Sequence, residues 1–310
     1  MSKEKVIIYG NCQANALGGL LKISEEFSER YDFVRVTPVH RVKVAEHREF
    51  CENLVKHCAA FLYQPVSDKF RGGGFGYKTV CSYLSNDAFR ASFPSLQFYG
   101  YHALSAPVRE VNSEFASSVN SFFGMPSSDL FHPIDVLECY CEGFDLVDAI
   151  DKFSNGSANT RDQILSITLN SIEQMRISEE KHSIDIKFSY FLENNYKNQQ
   201  LFHTPRHPTG FSLLQVVESF LSYLDIKISE EERQRIVKRD PLCIPQYPSQ
   251  RVIHDKLGLD FEKKLQFKSK SVSLSCEQFV SQLYQAYNTQ PSAVLNGWLD
   301  TLKKSMNRVL

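Results

Sequence analysis

A run of strand-forming apolar residues, Val6-Ile7-Ile8-Tyr9, passes without a break into Gly10-Asn11-Cys12-Gln13 and then into a helical pattern from Ala14. An apolar run with no polar alternation predicts a strand buried on both faces, as in a parallel sheet. Strand, tight turn and helix in that order leave the first N–H groups of the helix without intrahelical partners and aim its positive dipole end at the turn. Such a turn is suited to an anion or to a developing negative charge. A thiol placed there, at Cys12, becomes more acidic and more nucleophilic. The same residues also read as an ordinary strand–helix connection with a half-buried, inert cysteine.

The alternation continues through the first hundred residues, which predicts a parallel sheet. Strands are expected at Lys5–Tyr9, Phe33–Val39, Ala59–Tyr63 and Leu96–Tyr99, with helices over Gln13–Tyr31, Val42–Cys58 and Tyr77–Ala91. Gly18-Gly19 inside the first helix costs roughly 1 kcal/mol per glycine relative to alanine, so close packing is expected there. After residue 105 the alternation stops. Helical patterns then cover Pro133–Phe153, Thr160–Tyr196 (long enough to contain a break), Phe211–Leu224, Cys276–Asn288 and Pro291–Val309, and Ser229 followed by three glutamates reads as an N-cap with an acidic first turn. The expectation is an α/β fold. A parallel-sheet subdomain over residues 1–105 is embedded in a mainly helical region over 106–310, the two forming one integrated domain.

The 35 basic and 36 acidic residues leave a net charge of −1, without the basic footprint of a nucleic-acid binder. No apolar run reaches the ~18 residues of a membrane span, and Met1–Lys5 leads into the first strand without a signal-peptide pattern. A cytoplasmic location with eight reduced cysteines is therefore expected. None of these forms Cys-x-x-Cys, and no metal site is read.

Ligands of open parallel sheets bind outside the carboxyl ends of the strands. Here those ends are Gly10–Gln13, Pro38–Arg41, Gln64–Asp68 and Gly100–His102, so Cys12, Gln64 and His102 are expected to converge on one edge. The loop 68–78 carries four glycines among Lys69, Arg71 and Lys78. It suits either a phosphate approached by backbone or a surface turn, and it lacks the Walker pattern. A further segment, His203-Thr204-Pro205-Arg206-His207-Pro208, holds an imidazole and a guanidinium between prolines just before a helix.

Gly10-Asn11-Cys12-Gln13, Phe93-Pro94 with Gly100-Tyr101-His102, and Arg206-His207-Pro208 together resemble the WcbI family of polysaccharide-biosynthesis proteins over most of the chain. That resemblance implies a coenzyme A-binding capsule protein that O-acetylates a deoxyheptose sugar. It also implies a Rossmann-like subdomain related to SGNH/GDSL hydrolases, with Cys12 where the nucleophilic serine stands. The hydrolase's Asp-x-x-His near the C-terminus is missing; Asp129…His132 has the spacing but lies mid-chain.

On this reading Cys12, His102 and His207 are the catalytic candidates, with His102 or His207 as general base. The Cys12 and Gln13 N–H groups, assisted by the Asn11 or Gln13 carboxamide, would bind the oxyanion. Gly10, Asn11, Gln13, Lys69, Arg71, Lys78 and Arg206 are the candidates for holding coenzyme A or acetyl-coenzyme A. The acceptor would be a sugar, sugar nucleotide or polysaccharide, and a homodimer is left open. Two rival readings share these residues: an esterase or thioesterase, and a non-catalytic coenzyme A- or sugar-binding factor of capsule assembly.

Overall fold

The computed structural model describes residues 3–307, with backbone alone at 158–161 and 305–307, so the expected end of the last helix at Val309 lies outside the described residues. The chain forms two compact units, each assembled from three stretches. One takes Met1–Gln97, Gln174–Glu193 and His207–Leu242; the other takes Phe98–Glu173, Asn194–Arg206 and Cys243–Leu310.

The first unit is α/β. It begins β1 (Glu4–Tyr9), α1 (Cys12–Leu21), α2 (Glu25–Arg30), β2 (Tyr31–Val34), α3 (Val44–Asn53), β3 (Ala60–Tyr63), α4 (Tyr77–Cys81) and β4 (Phe89–Ser92). The four strands are parallel, in the order β2-β1-β3-β4. Val6 to Tyr9 are all buried, as the unbroken apolar run requires of a central strand covered on both faces. Ile7, Tyr9 and Phe61 face a core completed by Val39, Cys51, Val55 and Val80.

Four expectations are corrected. The single helix over Gln13–Tyr31 is two, because Ser24 caps a new helix, its hydroxyl accepting from the Phe27 N–H at 3.3 Å. The second strand begins at Tyr31 and ends at Val34 instead of running to Val39. The fourth strand is Phe89–Ser92, not Leu96–Tyr99; α4 stops at Cys81, well short of Ala91. Phe89–Ser92 pairs with Ala60–Tyr63, and the Asp185 carboxylate accepts from the Ser92 N–H and hydroxyl at 2.8 and 2.7 Å. The backbone of Leu96 bonds instead to the Gln13 side chain, which leaves it no place in a ladder.

The helical stretch over Thr160–Tyr196 does contain a break, dividing into Ala158–Lys181 and Ser189–Asn195. The buried carboxylate of Glu179 accepts from the Phe188 and Ser189 N–H groups at 2.6 and 2.9 Å, which anchors the turn of chain between the two helices. Ser229 does cap Glu230–Arg239, in a capping box with Glu232.

The second unit is mainly helical. Helices Ser113–Phe123, Ile134–Glu142, Leu146–Asn155, Cys276–Tyr287 and Ser292–Asn307 supply a core that includes Phe115, Phe123, Leu137, Phe153, Phe279 and Trp298. The helix expected over Pro133–Phe153 is interrupted at Gly143, which takes a positive φ of 77°. Among the described residues, no helix is long and apolar enough to cross a membrane.

The two glycines of α1 separate sharply. A Cβ on Gly18 would stand 2.0 Å from the Phe33 ring of β2, whereas one on Gly19 meets nothing within 4 Å. Chemical denaturation should therefore show Gly18→Ala destabilising by about 1–3 kcal/mol through overpacking. Gly19→Ala should stabilise by up to about 1 kcal/mol through helix propensity.

Candidate functional site

In the order β2-β1-β3-β4 the chain leaves β1 toward one side of the sheet and returns to β3 on the other. The carboxyl ends of β1 and β3 therefore flank the topological switch point, where open α/β sheets bind ligands. A cavity of about 290 Å³ lies there, bordered by Asn11 after β1, Gln64 to Ser67 after β3, and Pro94 and Ser95 after β4. Met175, Ser178 and His182 complete its lining from the 174–193 stretch.

Side-chain carboxamides build the turn. The Gln64 N–H donates to the Tyr9 carbonyl at 2.9 Å, extending the β1–β3 pairing by one bond. Its Oε1 then accepts from the Asn11 N–H at 2.9 Å. Gly10 is obligatory beside it, since a Cβ there would fall 2.5 Å from that same oxygen. Buried Gln13 binds through both ends of its amide. Nε2 donates to the Leu96 carbonyl at 2.7 Å, and Oε1 accepts from Leu96 N–H and Gln64 Nε2 at 3.0 Å each. Asn11 is the N-cap of α1, its Oδ1 accepting from the Gln13 N–H at 2.9 Å while Nδ2 donates to the Ser95 hydroxyl at 3.1 Å. Cys12, half-buried, is the first residue of that helix.

These bonds redistribute the roles expected within the turn. The Gln13 N–H is committed to Asn11, and the Gln13 carboxamide to Leu96 and Gln64, so Gln13 holds the turn to segment 94–97. The Asn11 carboxamide reaches the cavity wall at Ser95.

The glycine loop is a built structure. Gly72, Gly73 and Gly74 all take positive φ, and the Tyr9 hydroxyl donates to the Phe75 carbonyl at 2.7 Å. Arg71 donates to the carbonyls of Val39 and Val42 at 3.4 and 2.5 Å, its guanidinium 4.9 Å from the Phe75 ring centre. Beneath it the buried His47 accepts the loop's aromatic face, 4.3 Å from Phe75, and donates Nε2–H to the Tyr9 oxygen. Burial, aided by the Arg71 charge, lowers the His47 pKa. Arg71 thus locks the loop onto segment 39–42, while Lys69 and Lys78 are exposed cations.

His102 is not at the end of a strand. It closes a 3-10 turn, Gly100–His102, within the second unit, and its Nε2–H donates to the His203 carbonyl at 3.1 Å. Burial pushes its imidazole down to about 4. It lines a narrow space of about 20 Å³ with His203, His254 and Tyr101, room for one water. Among the described residues no group of three or more His, Cys, Asp or Glu is placed to hold a metal ion.

The unit boundary falls between Arg206 and His207. Arg206 is exposed, its N–H directed to the Thr204 hydroxyl at 3.4 Å. His207 lies in the short strand His207–Pro208, just before the helix Gly210–Tyr223 that Thr209 caps. His132, of the Asp129…His132 pair, is wholly buried, with Nδ1 3.0 Å from the Tyr287 hydroxyl and its ring beside Phe115 and Trp298, and burial pushes it down to about 3. It is a core residue. Met175, Ser178 and His182 carry no signal in the sequence, because the helical pattern over Thr160–Tyr196 gives its residues no sheet edge to approach.

The family model described as polysaccharide biosynthesis enzyme WcbI matches residues 5–229. A solved structure of WcbI, described as the native protein without a disulfide bond between coenzyme A and a cysteine, superposes with a TM-score of 0.82. It is 17% identical and the match covers 100% of each chain. A comparison with curated proteins finds no match.

Two outcomes follow from this geometry. Gln13→Leu and Gln64→Leu each orphan buried partners and should cost about 1–3 kcal/mol. Combined, they should show a coupling of about 0.5–3 kcal/mol in a denaturation double-mutant cycle. For His102, a folded pKa near 4 against the usual 6.5 means that the unfolded chain binds the extra proton between those values. Stability therefore falls as pH drops from 6.5 toward 4, and His102→Gln should flatten that part of the melting-temperature profile.

Proposed function

The chain belongs to the WcbI family of polysaccharide biosynthesis enzymes, and on that premise we propose that it is a coenzyme A-binding O-acetyltransferase acting on a sugar hydroxyl in capsule synthesis. The observation that carries this reading is the switch-point cavity of about 290 Å³, lined by Asn11, the N-cap of the helix that Cys12 opens. A thioester carried there lies at the N-cap of α1, the positive end of that helix, with a pocket for an acceptor. The solved WcbI structure, whose description concerns coenzyme A and a cysteine, supports coenzyme A as the cofactor.

The deoxyheptose acceptor and the SGNH relationship are part of the same reading. The parallel β2-β1-β3-β4 sheet with Cys12 opening α1 supports the second. We place the chain in the cytoplasm, taking a sugar nucleotide or growing polysaccharide, with a homodimer as its assembly.

Transfer forms a bond from the hydroxyl oxygen to the acetyl carbonyl carbon and breaks the carbon–sulfur bond. The hydroxyl proton passes to a base and then to the departing thiolate. Developing charge on the carbonyl oxygen is favoured by the α1 dipole and by the second hydrogen of the carboxamide of Asn11, which lines the cavity. Lys69, Lys78 and Arg206, all exposed, are the cations we assign to the coenzyme phosphates. In a direct route Cys12 shapes the pocket. In a two-step route the Cys12 sulfur first takes the acetyl group, releasing coenzyme A thiol, and then yields it to the sugar.

Calorimetry should show micromolar binding of coenzyme A and acetyl-coenzyme A (about 8 kcal/mol). Cys12→Ser should bind coenzyme A and lose transfer if the route is two-step, whereas an active Cys12→Ala leaves only the direct route. Acetate released without any acceptor would identify a hydrolase, and no binding of either ligand would overturn the cofactor assignment.

A further inference from the structure

We propose that His182 is the general base of the switch-point cavity, the imidazole that takes the proton of the acceptor hydroxyl. This rests on the transferase reading above and supplies the residue it lacks. His102 and His207, the two bases that the sequence suggests, do not line this cavity.

The lining itself narrows the choice. It consists of apolar residues, prolines, carboxamides, serines and one imidazole. Gln64 is committed to Asn11 and Gln13, and serine hydroxyls do not accept protons near neutrality. His182 is therefore the only side chain in the lining able to take a proton at pH 7.

Its setting fits that task. His182 follows the last residue of the helix Ala158–Lys181, and its backbone N–H donates to the Ser178 carbonyl at 3.1 Å. Its ring is half-buried and stands edge-on to Tyr77, 6.4 Å between centres. Burial lowers its pKa below the usual 6.5, and two cations, the adjacent Lys181 and Lys78 of α4, act in the same direction. The resting imidazole is thus neutral and has a lone pair to offer. The same two cations disfavour the imidazolium once formed and so drive the proton onward to the leaving thiolate. Coenzyme phosphates near Lys78 and Lys181 would offset that repulsion, linking the basicity of His182 to cofactor occupancy.

In the step itself, the hydroxyl O–H bond breaks and its proton goes to the His182 ring nitrogen as oxygen attacks the acetyl carbonyl. Collapse of the tetrahedral adduct expels the thiolate, which takes the proton back. In the two-step route the same exchange completes the second half, with the Cys12 thiolate leaving.

The test uses the full chain with acetyl-coenzyme A and a panel of sugar acceptors. His182→Gln should keep coenzyme A binding by calorimetry, lower kcat by about 10²–10⁴-fold, and lose the acidic limb that wild-type kcat/KM shows below pH 6.5. Unchanged turnover, or a retained acidic limb, overturns the assignment while leaving the transferase reading standing. A wild-type chain that binds coenzyme A yet acetylates no acceptor overturns both. A second measurement needs no variant to fold. In histidine-labelled wild type, the His182 resonance should titrate below 6.5 and move upward with coenzyme A bound. A titration indifferent to coenzyme A overturns the proposal.

Discussion

The site depends on the pairing of two side-chain carboxamides, Gln13 and Gln64. Each has a donor and an acceptor on a short, rigid fork, and together they tie the end of β1, the end of β3 and the segment 94–97 into one network. The network is buried, where an unmatched amide is costly, so its geometry is fixed far more tightly than that of a loop held by solvent-exposed bonds. Gly10 exists in service of it: only a residue without a Cβ leaves room for the Gln64 oxygen. Asn11 then turns the chain into α1 by capping it, and Cys12 follows as the first helical residue. The cysteine's place is thus set by polar groups that touch no substrate.

How much of this was legible in sequence follows from the range of the interactions involved. The run Val6–Tyr9 announced a doubly covered central strand because burial on both faces acts residue by residue. Ser229 announced its N-cap because the bonds close within three residues. Gln64 could be placed at the correct edge because strand ends and edges correspond in any parallel sheet. The fourth strand was misplaced for the opposite reason. Leu96–Tyr99 has strand-like composition, but Leu96 bonds to Gln13, more than eighty positions away, and Phe89–Ser92 is held by Asp185, farther still. Composition cannot weigh bonds of that separation. The error carried His102 to the sheet edge, a position that it does not occupy.

The cationic loop shows how local chemistry admits two readings that only tertiary bonds separate. Glycines among Lys69, Arg71 and Lys78 would serve a phosphate or a tight turn equally well. Arg71 is bound to the carbonyls of Val39 and Val42 and stacked on Phe75, so its charge closes the loop over Tyr9 and His47. A guanidinium held by backbone carbonyls keeps its charge while losing its reach. What it still exerts is electrostatic, and His47 beneath it is held neutral in part by that charge.

The histidines divide by the same physics. His102 and His132 are held neutral by loss of solvent, one bonded to a carbonyl and the other to a tyrosine hydroxyl, and imidazoles driven that far down are weak bases. A useful base at neutral pH must be shifted only slightly and must remain in reach of a ligand. Partial burial with two lysines nearby does this differently from full burial. Burial remains the largest cause, but the lysines add a charge penalty that an anionic cofactor can neutralise, so basicity can change when the site fills. Burial alone offers no such adjustment, because an occupied cavity removes still more water. An imidazole bordered by cations at the rim of a sheet-edge cavity is therefore the arrangement in which binding a phosphate-bearing cofactor itself strengthens the base that the reaction next requires.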